Sequence, residues 1–96
     1  MKTTVTLQIG NSDDKLTQSE WSTFVDLVDK AIRHSRSQLH FTGGSYPDAP
    51  WQNFCWVFLL SDEERESGTL YRMIHDLRKQ FKQDSAAWTE GKTLFV

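Results

Sequence analysis

From Asn53 to Leu60 the chain reads NFCWVFLL, and every side chain after Asn53 is apolar. Such a run, bounded by turn signals and rich in aromatic and β-branched residues, has the length and composition of a buried β-strand. Alternation along a strand sends Phe54, Trp56, Phe58 and Leu60 to one face and Cys55, Val57 and Leu59 to the other. Both faces therefore need cover. In a chain of 96 residues one cover is the protein's own helices. The other is either a partner, or the C-terminal segment or long loop folding back over the strand. The strand's own sequence leaves open which face meets the helices.

The flanking segments supply the remaining elements. Residues 3–9 alternate strictly, with Val5, Leu7 and Ile9 on one side and Thr4, Thr6 and Gln8 on the other, which predicts a half-buried first strand. After the turn-forming stretch GNSDD, Thr17 and Glu20 have the T-x-x-E spacing of a capping box, flanked by Leu16 and Trp21 as a hydrophobic staple. The helix that starts there carries Trp21, Phe24, Val25, Val28, Ala31 and Ile32 on one stripe and ends between His34 and Arg36. Leu39 and Phe41 alternate with polar neighbours as a short second strand, and residues 43–48 read as a loop.

Beyond the apolar strand, Ser61 and Glu64 form a second capping pattern, S-x-x-E. Gly68 interrupts it, so the main helix is expected from about Ser67, with Leu70, Met73, Ile74, Leu77 and Phe81 facing inward. Residues 85–96 form either a hairpin or one strand with a bulge around Gly91. The order is βαββαβ. This is the split βαβ pattern of a two-layer, α+β, ferredoxin-like fold: one domain over residues 1–96, an antiparallel sheet, and two helices on one face.

Several function classes lose support on composition. Eleven Lys and Arg against 13 Asp and Glu give a net charge of −2, without the basic field that nucleic acid requires. Phe54, Trp56 and Phe58 have the spacing of base-stacking rings, but the first strand offers only Thr4, Thr6 and Gln8 beside them. The single cysteine gives neither a disulfide framework nor a cysteine-built metal site, and points to a reducing, cytoplasmic compartment. His34, His40 and His75 lack the i, i+4 spacing of a zinc pair. No metal, cofactor or catalytic group is expected, and Cys55 between two rings reads as an inert small hydrophobe. No apolar stretch approaches the roughly 20 residues that span a bilayer.

The function expected is binding, most simply as a homodimer through an aromatic sheet face, with Trp51, Phe54, Trp56 and Phe58 as anchors. Tyr46, Gln52 and Asn53, with Trp51 and His40, combine rings and amides around a proline-pinned loop and are candidate pocket residues. The competing expectation is a small-molecule binder or cofactor-free enzyme with a pocket between sheet and helices, using His40, Tyr46, Cys55 or His75.

The stretches LQIGNSDDKLTQSEW, PDAPWQNFCW and QDSAAW together resemble small uncharacterised proteins of actinobacteria and their phages. That resemblance carries no assigned activity. It implies an accessory protein of a phage or mobile element that binds a host factor.

Overall fold

The structure is a computed structural model that describes residues 2–45 and 52–96. Four strands form one antiparallel sheet: β1 (Lys2–Gly10), β2 (Gln38–Gly44), β3 (Asn53–Leu60) and β4 (Ala87–Thr93), in the spatial order β2-β3-β1-β4. The helices are α1 (Gln18–His34), the short α2 (Asp62–Ser67) and α3 (Thr69–Gln80). This is the ferredoxin-like arrangement, with β1 and β3 at the centre.

The pairing of β1 with β3 decides which face is inside. Its register sets Val5 opposite Phe58, Leu7 opposite Trp56 and Ile9 opposite Phe54. The aliphatic set of β1 thus lies on the same face as the aromatic set of β3, because cross-strand partners share a side. That face takes the helices. Val5, Leu7, Trp56 and Phe58 are fully buried with Phe24, Val28 and Ile32 of α1 and Leu70 and Ile74 of α3. Phe24 stacks on Phe81 at 4.9 Å between ring centroids, which closes the end of the helix layer.

The α1 capping box forms as read: Thr17 Oγ1 accepts from the Glu20 amide (3.2 Å) and Glu20 Oε1 from the Thr17 amide (2.9 Å). The Thr17 amide, and after it the Thr17 side chain, hold the Glu20 carboxyl below its ordinary range. Ser61 caps α2 through the Glu64 amide at 3.2 Å, and Gly68, at φ 67°, stops it in the left-handed conformation that glycine adopts without strain. Glycine has no side chain to cap α3. Glu64 Oε2 reaches over instead and accepts from the Leu70 amide at 3.2 Å.

Two buried polar residues tie the loops. Asn11 Oδ1 accepts from the Leu16 amide (2.9 Å) while its Nδ2 donates to the Leu16 carbonyl (3.1 Å) and to Gln52 Oε1 (3.1 Å). Gln83 Oε1 accepts from the Ser12 amide at 3.0 Å, and its Nε2 donates to the Phe81 carbonyl at 3.1 Å.

Three expectations are corrected. Gly43 and Gly44 belong to β2 rather than to a loop, since both pair with β3. Met73 is 46% exposed and outside the α3 stripe, which Leu70, Ile74 and the half-buried Leu77 fill, with Phe81 buried just past the helix end. In β2 the pairing shifts between Leu39, opposite Phe58, and Phe41, opposite Val57. His40 is the extra residue of that bulge, so Leu39 and Phe41 do not share a face as simple alternation requires. Leu39 packs on the core, and Phe41 stands on the other side at 56% exposure. Of the alternatives for the C-terminal segment, one strand forms, in unbroken register with β1 from Lys2–Thr93 to Gln8–Ala87.

Candidate binding surface

The face of the sheet turned away from the helices follows from the same registers. β3 contributes Cys55, Val57 and Leu59, and β2 contributes Phe41 opposite Val57 and Gly43 opposite Cys55. β1 and β4 add Thr4, Thr6, Thr89 and Thr93, with Thr4 and Thr93 joined through their hydroxyls. The β2–β3 half of the face is therefore mainly apolar, with Gln38 opposite Leu59 at one end, and the β1–β4 half is polar, with Lys2 and Gln8 beside the threonine hydroxyls. No helix or strand among the described residues lies over it.

Phe41 is held flat by what Gly43 lacks. A Cβ at Gly43 would come within 2.9 Å of the Phe41 ring, so the ring lies over the bare glycine backbone. Beside it, a hollow of about 290 Å³ opens between Phe41, Cys55, Gln8 and Asn53. Burial pushes the Cys55 thiol above its ordinary pKa. The thiolate is disfavoured there, and the side chain acts as part of the apolar surface.

The anchors expected from sequence lie elsewhere. Trp56 and Phe58 are 0% exposed on the helix side, and a side chain with no exposure does not touch a partner. Trp56 Nε1 donates to Asp29 Oδ1 at 3.0 Å, and Phe54 packs on Trp56 at 4.8 Å on that same side. The aromatic face is the core face, since only the helices offer stripes deep enough to enclose large rings. Base stacking by Trp56 and Phe58 is closed off for the same reason, and Phe54 is half-buried against Trp56. The surface left open carries Phe41, Val57 and Leu59, the second alternating set of β3 with the residue that the His40 bulge turned over.

Among the described residues the pocket candidates converge only in part: Gln52 and Asn53 border one hollow of about 290 Å³ with Asn11 and Asp13, and His40, Cys55 and His75 do not line it. Gln52 is engaged with Asn11 and with Gln18, whose Nε2 donates to it at 3.1 Å, and so belongs to the loop tie. Asn53 opens β3, with its amide donating to Ser45 Oγ at 3.2 Å. His40 is exposed at the bulge, His75 is exposed on α3, and Cys55 faces the open side. Tyr46 and Trp51 lie outside the described residues. Among the described residues no group of His, Cys, Asp and Glu could hold a metal ion, and no helix is long and apolar enough to cross a membrane.

No protein-family model and no curated protein matches the chain. Solved structures do match in shape. A dimeric ferredoxin-like protein of unknown function from Thermobifida fusca superposes with a TM-score of 0.63 at 7% identity, over 96% of this chain and 92% of that one. A hydroxynitrile lyase from Passiflora edulis gives 0.62 at 6% identity, over 99% and 98%. A de novo designed protein gives 0.62 at 10% identity, over 98% and 100%. At such identities the likeness establishes the fold and carries no activity across.

Proposed function

We propose that the protein works by binding rather than by catalysis, and that it associates with a second copy of itself through the open face of its sheet. The observation that carries this reading is the apolar half of that face, where Phe41 lies over Gly43 beside Cys55, Val57 and Leu59. A contiguous apolar patch on a sheet marks an interface more often than a solvated surface. A two-fold contact is self-complementary, so apolar half can meet apolar half while the threonine rows meet at the rim. The dimeric state of the Thermobifida fusca protein, which has the same fold, adds support by analogy.

The phage or mobile-element role implied by the sequence resemblance fits the same face, with a host protein as a later or competing occupant. Solution mass by light scattering, followed across protein concentration, tests the proposal. Wild type is expected at twice the chain mass, and Val57→Lys at the chain mass with its melting transition retained, because a lysine there faces away from the core. A wild type that stays at the chain mass at all concentrations overturns the homodimer.

A further inference from the structure

We propose that the hollow between the α2–α3 junction and the edge strand β4 binds a small organic cation, an amine carrying an aromatic or apolar body. The hollow measures about 370 Å³, within the roughly 300–1,000 Å³ range of small-molecule sites. It lies on the helix side of the sheet, since Trp88 pairs with Leu7 and Glu90 with Val5. It is therefore separate from the open face and does not depend on dimer formation.

Its floor is apolar: Leu60 and Leu70 are 6% and 2% exposed. One wall is the ring pair Tyr71 and Trp88, set edge to face with centroids 5.3 Å apart. Phe58 props Trp88 from the core at 5.9 Å. The faces of such rings carry negative potential and attract a cation within about 6 Å.

The charged groups lining the hollow are Glu64, Glu66, Glu90 and Arg65. The start of α3 also borders it, and alone would favour an anion. Glu64 already fills that role by accepting the Leu70 amide. Arg65 is held by Glu90 at 3.4 Å, and the nearby Arg72 donates to the Ser67 carbonyl at 2.8 Å. Both guanidinium groups are thereby engaged, whereas Glu66 makes no ion pair among the described residues. Aromatic wall, apolar floor and surplus carboxylate together match an ammonium group on a hydrophobic body.

The test is a titration with phenethylammonium, with phenylacetate and 2-phenylethanol as anionic and neutral probes of the same body. Binding is followed calorimetrically and by the indole N–H resonance of Trp88. The ammonium probe is expected to saturate and to bind about tenfold tighter than phenylacetate, the size of preference that a nearby unpaired charge supplies at a protein surface. Glu66→Gln, an exposed change that leaves the core intact, is expected to remove most of that preference. Equal binding of the three probes, failure of the ammonium probe to saturate, or perturbation at Val57 and Leu59 in place of Trp88 overturns the proposal.

Discussion

β3 sends Trp56, Phe58 and Leu60 to one side of the sheet and Cys55, Val57 and Leu59 to the other, and the two sides differ in more than size. On the helix side the large rings enter the stripe of α1, and the one polar atom they bring, Trp56 Nε1, finds Asp29. On the open side β3 offers the smaller Cys55, Val57 and Leu59, the neighbouring strands add mainly threonine and glycine with Lys2, Gln8 and Gln38, and Phe41 lies flat over Gly43. One side is built to be filled by its own chain. The other is smooth enough to be covered by a second surface. An apolar strand face is thus no indication of where a partner binds until its opposite face has been accounted for.

The largest effect that separates the two sides is expected from Trp56→Ala. Removing that ring should cost about 3–5 kcal/mol, from lost burial and the cavity left behind. Val57→Ala, one residue along but on the open side, should cost well under half as much in urea titrations of dilute protein. Equal losses would mean that both sides are packed alike, which would break the comparison.

Asp29→Ala comes next. It leaves the Trp56 indole N–H buried without its acceptor, a loss of about 1–3 kcal/mol. Acid titration sharpens the point. Burial raises the Asp29 pKa, but the Trp56 hydrogen bond and the Arg33 bond and charge outweigh it, and the net shift is below the ordinary 3.8. A depressed carboxylate contributes stability that is complete above its unfolded value and is lost as pH falls through the folded one. Wild type should therefore lose stability relative to Asp29→Ala as pH drops below about 4. Parallel pH profiles for the two proteins would show that the indole bond does not couple to folding.

The smallest effect on folding is expected from Gly43→Ala. The new methyl displaces Phe41, whose ring is at the free end of an exposed side chain, so stability should change by no more than about 0.5 kcal/mol. Self-association should weaken all the same, because the flat apolar surface is broken. Sedimentation across concentration reads this directly. Undiminished association would remove Phe41 from the contact.

Much of this architecture was legible in local sequence. The T-x-x-E box at Thr17 and the stripe beginning at Trp21 define α1 because capping and burial are both short-range requirements. The third strand runs over Asn53–Leu60 because a seven-residue apolar run after Asn53 has few other solutions in a chain this short. The candidate site was harder to read. A bulge such as that at His40 has no signature of its own, since it exists only relative to the strand opposite. Gly43 and Gly44 resemble loop residues until Phe41 and Phe54 are seen to need the space above them.

What the sequence by itself determined, then, is the order of elements, the helix starts, and the division of β3 into two apolar faces. Those depend on periodicities within single segments. Which side of β3 met the helices was decided only in the tertiary structure, through the register that set Val5 and Leu7 beside Phe58 and Trp56. Local alternation divides a strand's residues into two sets. Only pairing with another strand says which of the two sets becomes the core, and here the hydroxyl row of β1 went outward with Cys55, Val57 and Leu59.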